Sequence, residues 1–121
     1  MMFLPHCRVN VKFHLFTTEE GGREKGIYNC YRADHALSDD CVLTMGPLYF
    51  LNKEQETLNT GESADMQVIF IISHNSKPKI VNLKQGDKWK VFEGQKCVGE
   101  CEMLERITTD EELNSQMPVT W

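Results

Sequence analysis

Between residues 8 and 16 apolar and polar side chains alternate. Val9, Val11, Phe13 and Leu15 are separated by Asn10, Lys12 and His14. A period of two is that of a strand with one face in a core and the other in water. The polar stretch that follows, Thr17-Thr18-Glu19-Glu20-Gly21-Gly22-Arg23, reads as a turn whose double glycine admits positive φ. Residues 27–31 form a short aromatic stretch able to pair as a strand, and residues 33–40 carry no clear pattern. The apolar runs 41–45 and 48–51 are split by Gly46-Pro47, a turn or bulge signal. Residues 52–62 are polar and end in the turn Thr60-Gly61-Glu62. The β-branched run 66–73 predicts a strand that is central or covered on both faces. A loop at 74–78 and a further alternating stretch at 79–83 come next. Residues 88–92 and 96–107 predict a hairpin about Glu93-Gly94-Gln95. Residues 108–121 are polar and acidic. There Thr109 and Glu112 have the spacing of a capping box that opens one helical turn, with a frayed tail as the alternative.

Many short strands punctuated by glycine turns imply an all-β domain, a small barrel or sandwich, over residues 1–107, with a polar tail at 108–121. A chain of 121 residues suits one domain with one core. Its 40% hydrophobic and 26% charged content is that of a globular chain. The longest dense apolar run, 68–72, is far short of the roughly 20 residues that span a bilayer, so no membrane association is expected. Residues 1–10 lack the basic start and apolar stretch of a signal peptide. The five cysteines, Cys7, Cys30, Cys41, Cys97 and Cys101, are odd in number and widely spaced, which suggests reduced thiols and a cytoplasmic location.

The net charge of −5 opposes general nucleic-acid binding, which draws its affinity from neutralising phosphates. No phosphate-binding G-x-x-x-x-G-K-[ST] loop and no H-E-x-x-H zinc motif is present, and His6, His14, His35 and His74 are scattered. No cofactor, metal or catalytic residue is therefore assigned. Spacing does not address a cysteine–histidine pair that meets only in space. Cys97 and Cys101 stand four apart, on one face of a strand, and read as small buried hydrophobes. Glu19-Glu20 and Asp39-Asp40 read as solvated turn acids, and Trp89 and Phe92 as core aromatics.

Two segments carry a family likeness. The first is Val11-Lys12-Phe13-His14-Leu15-Phe16 with Thr18-Glu19-Glu20-Gly21-Gly22-Arg23 and then Tyr31-Arg32. The second is Trp89-Lys90-Val91-Phe92-Glu93-Gly94-Gln95-Lys96-Cys97-Val98-Gly99. In order and approximate spacing over residues 8–107, the chain resembles the C-terminal β-barrel of translation elongation factor Tu, with its E-E-G-G-R loop, Y-R pair and R-E-G-G-R-T-V-G hairpin. Gly46 falls near that family's T-G turn, and Thr60-Gly61-Glu62 where it has P-G-D. The resemblance implies a closed antiparallel barrel of about six strands.

The departures bear on function. The family's nucleotide-binding domain and middle barrel have no counterpart, and Asn52-Lys53-Glu54-Gln55 is not the guanine-reading N-K-x-D. The resemblance thus implies no GTP hydrolysis. In the family this barrel helps hold the T stem of aminoacyl-tRNA, partly through the loop arginine and a histidine beside it. Arg23 matches the arginine, but Glu24 replaces the histidine. Ala33-Asp34-His35-Ala36-Leu37 replaces the P-Q-F-Y-F segment, and the loop 73–82 is longer. Arg23 and Lys96, on or beside exposed loops, are candidates for recognition. Arg32 has the plainer alternative of stacking on a ring or pairing with an acid. Gly94 and Gly99 read as backbone requirements. The expected function is a stand-alone, non-catalytic module that binds a protein partner, as adaptor or decoy of the factor. One alternative is a tRNA-binding module acting through Arg23, Arg32 and Lys96. The other is a small-molecule binder or enzyme with an unrecognised site. The sequence leaves the oligomeric state open.

Overall fold

The computed structural model describes residues 4–40 and 42–120. Among these, nine strands and two one-turn helices follow one another. The longest pairings centre on β1 (His6–Leu15), whose alternation buries Cys7, Val9, Val11, Phe13 and Leu15 completely. It pairs antiparallel with β7 (Ser63–Ile71) on one side and β9 (Lys96–Arg106) on the other. β8 (Lys88–Glu93) joins β9 through the two-residue turn Gly94-Gln95. Beyond β8 lie β3 (Asp34–Ala36) and β4 (Thr44–Met45), and beyond β7 lies β5 (Leu48–Phe50). A separate ribbon of β2 (Ile27–Tyr28) and β6 (Thr57–Leu58) brings the buried Ile27 opposite the buried Leu58. It adds both side chains to the core.

The protein is mainly β, and its seven-stranded antiparallel sheet curls into a half-barrel. The closed six-stranded barrel expected from the resemblance is not formed, because the ladder begins at β4 and ends at β5. These outer strands are successive pieces of one segment, interrupted at Gly46-Pro47. Proline carries no N–H, so a ladder cannot run through it. An isolated bridge spans the seam instead: the Tyr31 N–H donates to the Leu48 carbonyl at 3.0 Å, and the Leu48 N–H donates to the Tyr31 carbonyl at 2.9 Å.

One side chain ties this region together. His35 is fully buried, and its Nε2–H donates to the Gly46 carbonyl at 2.8 Å. Its Nδ1 accepts from the Trp89 Nε1–H at 2.9 Å. An indole can only donate, so the neutral tautomer is dictated. Phe70 of β7 packs edge-on at 4.9 Å between ring centroids. Gly46 has no room for a side chain, since a Cβ would stand 2.6 Å from Val68 and 3.3 Å from the His35 ring.

Several sequence expectations change. The alternating stretch at 79–83 is not a strand, because α1 (Lys77–Val81) occupies it and enters the expected loop at 74–78. A Ser73–Ser76 turn sets up the helix, with the Ser73 N–H on the Ser76 hydroxyl at 2.8 Å and the Ser76 N–H on the Ser73 hydroxyl at 3.0 Å. Pro78 is tolerated in the first turn, and only Ile80 of the helix is buried. Lys79 forms an ion pair with Asp40 at 2.8 Å, which holds that carboxyl down at about 2. The polar stretch 52–62 contains β6. The β7 strand lies inside the sheet as expected. However, only Met66, Val68 and Phe70 are buried, while Gln67, Ile69 and Ile71 are half-covered. Cys41, the first residue of the apolar run at 41–45, lies outside the described residues.

Cys97 and Cys101 do not share a face. Val91 pairs with Gly99 but Phe92 pairs with Cys97, so Val98 is an extra residue, a β-bulge. The bulge shifts the alternation by one. Cys101 is buried in the core and Cys97 is half-exposed beside Phe92. Gly99 is needed at this crossing, since a Cβ there would stand 2.5 Å from the His14 carbonyl oxygen and 2.6 Å from the Phe13 ring. After β9, the Thr109–Glu112 capping box opens α2 (Asp110–Asn114), which buries Leu113. Gln116 exchanges hydrogen bonds with the His6 backbone at 2.7 and 2.9 Å, and Val119 bonds to Ile72 and His74. The acidic tail is therefore packed across the start of β1 rather than frayed.

Two measurements check this account. In urea denaturation, Gly99→Ala is expected to lower stability by about 2 kcal/mol or more through backbone overpacking. Gly94→Ala, in open space but at φ +61, is expected to cost about 1 kcal/mol. Burial holds the His35 imidazole down at about 4, against a smaller opposing effect of its Gly46 bond. The unfolded chain, titrating near 6.5, then binds a proton that the folded chain refuses. Stability is full above about pH 6.5 and declines as pH falls towards 4, by up to about 3 kcal/mol. The carboxyls held low titrate beneath the ordinary carboxylate range, so the decline from about pH 6.5 to 4.5 belongs to His35. Urea midpoints that stay constant across that interval would contradict the assignment.

Candidate functional site

The candidate residues come together at the hairpin end of the sheet. After β1 the chain turns tightly, with the Gly22 N–H on the Thr17 carbonyl at 2.9 Å and Gly21 at φ +92. Glu20 is an exposed turn acid whose carboxylate accepts from the Thr17 N–H at 2.9 Å, and that bond leads in holding its pKa below the usual range. The turn delivers Arg23 to the β8–β9 hairpin, where its Nη1 lies 3.0 Å from Glu93 Oε1. The guanidinium also stands over the Tyr31 ring, 5.2 Å from the centroid. The Tyr31 hydroxyl donates to the same Glu93 oxygen at 2.6 Å. Burial, then this bond to a carboxylate, pushes the Tyr31 phenol well above its ordinary value.

Glu93 therefore ties the Gly21-Gly22-Arg23 loop, the Tyr31-Arg32 pair and the hairpin together. Lys96 faces Glu93 in the hairpin register. Among the described residues Lys96 and Arg32 are exposed and have no acid within ion-pairing distance. The two arginines thus stand in different settings. Arg23 makes the ring stacking and acid pairing that read as the plainer account of Arg32, whereas Arg32 presents a free guanidinium.

Two concavities flank Arg32. The first, a basin of about 350 Å3, is lined by Arg23, Lys25, Tyr28, Tyr31 and Arg32, with Asn29, Thr57 and Asn59 among its polar groups. Tyr28, next to the buried Ile27, is 73% exposed. No carboxylate lines this basin. The second is an apolar hollow of about 540 Å3 on the outer face, formed by Met45, Pro47, Ile71 and Phe92, with Arg32, Asp34 and Glu93 also in its wall. Asp34 pairs in register with Met45 on one side and Phe92 on the other, so these three stand in one row across the sheet. The apolar surface continues past Met45 and Ile71 to the exposed Val42 and Leu43. Cys30, at φ +59, lies in the wall of both concavities and donates its thiol hydrogen to the Tyr49 hydroxyl at 3.2 Å.

Sequence reasoning missed Lys25, Tyr28, Met45, Ile71 and Phe92. For Tyr28 a signal existed, an exposed aromatic beside a buried isoleucine in a polar stretch. Phe92 was read as core beside Trp89, but the two stand three apart on β8, so with Trp89 and Val91 inward Phe92 faces outward. Elsewhere Cys7, Cys101 and His35 are occupied by packing. Burial pushes the Cys101 thiol well up and raises that of Cys7, and His35 has both nitrogens engaged. Among the described residues no three or more His, Cys, Asp or Glu gather as a metal site, and no helix is long and apolar enough to cross a membrane. The chain matches no protein-family model and no curated protein.

A pair of substitutions separates the two arginines. Arg23→Ala, losing a half-buried ion pair and a ring contact, is expected to cost about 1 kcal/mol. Arg32→Ala is expected to change stability by less than about 0.5 kcal/mol. Equal urea midpoints for the two variants would refute this division of roles.

Proposed function

We propose that this chain is a non-catalytic binding module that docks a protein partner on the outer face of its curled sheet. The apolar hollow carries this reading. Met45, 59% exposed, together with Pro47, Ile71 and Phe92, surrounds a cavity large enough for a bulky side chain. Charged groups stand at its border. An apolar centre with a charged rim is the anatomy of a protein interface, and a contiguous apolar patch is costly to leave facing water.

In finer terms we read the half-barrel as a relative of the closed C-terminal barrel of elongation factor Tu, acting in the cytoplasm as an adaptor or decoy of that factor. Two things support this. The strand, E-E-G-G-R loop, Y-R pair and hairpin follow in the family's order. The loop and the hairpin that carry the likeness also touch, through Arg23 and Glu93.

A second reading, binding of tRNA through Arg23, Arg32 and Lys96, is favoured by the cationic basin with its exposed Tyr28. Cations beside an exposed ring suit phosphate and base together.

Affinity capture from the native lysate, with bound protein and RNA both identified, tests the two. A protein is expected on the wild-type chain that Met45→Asp releases, and its affinity, remeasured with purified partner, should fall at least tenfold. Unchanged far-UV circular dichroism shows that the variant is folded. Identical capture by both chains removes the hollow from the interface. The tRNA reading requires binding that weakens steeply as salt rises, and negligible affinity at low salt eliminates it.

A further inference from the structure

The basin and the hollow form one surface, because Cys30 and Arg32 belong to the wall of each. Their chemistry is opposite. On the hollow side, apolar carbon is bordered by the carboxylates Asp34 and Glu93. On the basin side there are three cations and no carboxylate. Of those cations only Arg23 is neutralised, by Glu93 at 3.0 Å. Lys25 and Arg32 have no acid within ion-pairing distance among the described residues. This contrasts with the nearby sheet surface, where Lys90 is set against Glu100 at 2.8 Å and Lys88 against Glu102 at 3.9 Å. In a chain with eighteen acids and thirteen bases, a basin free of acids is a local reversal of the protein's field. It attracts an anion that the rest of the surface repels.

Resting on the protein-binding reading above, we infer that the partner's docking segment is a short acidic peptide stretch with an apolar anchor: the anchor fills the hollow beside Met45 and Phe92, and neighbouring carboxylates lie over Lys25 and Arg32. The charges set the direction. Asp34 and Glu93 repel an acid on the hollow side, so the acids fall on the basin side of Arg32 and the anchor on the other. Arg32 sits at the junction, where its planar guanidinium can take a carboxylate through two parallel N–H bonds. Such a contact fixes register, while the desolvated anchor supplies most of the affinity.

The experiment is selection of a displayed library of random twelve-residue peptides on the immobilised full chain. Fluorescence anisotropy then follows with the enriched peptides as synthetic, labelled probes. The expected sequences join Leu, Met or Phe to Asp or Glu, and their binding weakens with salt. Lys25→Ala combined with Arg32→Ala is expected to weaken them at least tenfold, Met45→Asp likewise, and Lys12→Ala on β1 not at all. Enriched peptides that are neutral or basic, that need Met45 but not Arg32, overturn this inference and leave the protein-binding reading standing. No enriched peptide, with a decamer of uridylate bound in an Arg32-dependent manner, overturns both and gives the basin to RNA. No enriched peptide and no bound decamer also overturns the inference.

Discussion

His35 has no contact with water, and both of its ring nitrogens are committed. A buried imidazole is expensive unless it stays neutral and finds two partners. Here the Trp89 indole supplies the donor and the Gly46 carbonyl the acceptor. That requirement joins three places far apart in sequence: β3, β8 and the Gly46-Pro47 break between β4 and β5. Phe70 adds β7 by packing against the same ring. The sheet can therefore curl until its outer strands lie next to each other although no continuous ladder joins them. The curl sets Met45 near Ile71 and so creates the hollow. Surface chemistry on the outside thus rests on a polar contact inside.

A second tie works at the exposed end. Glu93 accepts from Tyr31 and pairs with Arg23 through the same oxygen. It anchors the end of a glycine-rich loop whose other ties are its own turn and the contact of Glu20 with His14 at 3.7 Å. By engaging Arg23, it leaves Lys25 and Arg32 as the uncompensated charges of the basin. Stability and recognition are thereby divided between neighbouring cations. One is fixed in place by ring and acid, the others are free to meet a ligand, and the rim inherits a definite polarity.

Regular alternation was legible wherever one residue followed another on a pleated surface. The buried row of β1, the hairpin at Gly94 and the Thr109–Glu112 capping box are local patterns, and each has its physical cause within a few residues. The helix α1 was misread because Lys79, Ile80 and Val81 fit a strand nearly as well as a single helical turn. The Ser73–Ser76 turn and the burial of Ile80 decide between them. Phe92, three residues from the buried Trp89, faces outward by the plain alternation of β8, whereas Cys97 was placed inward because a period-two count assumes no insertion. One extra residue at Val98, chosen where Gly99 lets Phe13 approach, reverses the side for everything before it. The roles of Arg23 and Arg32 follow from which of them reaches Glu93, a contact seventy residues away in sequence for the first.

By itself, then, the order of side chains determined that this is a mainly β domain, which residues of its long strands face the core, and where its turns must fall. Those are consequences of pleat, backbone freedom at glycine and the missing N–H of proline. Only the tertiary structure decided that the barrel stays open at Gly46-Pro47, that Met45, Ile71 and Phe92 meet on an outer face, and that a carboxylate-free basin lies beside them. These depend on pairings between distant segments and on a buried histidine that needs partners from β8 and from the Gly46-Pro47 break. No local pattern encodes such long-range closures.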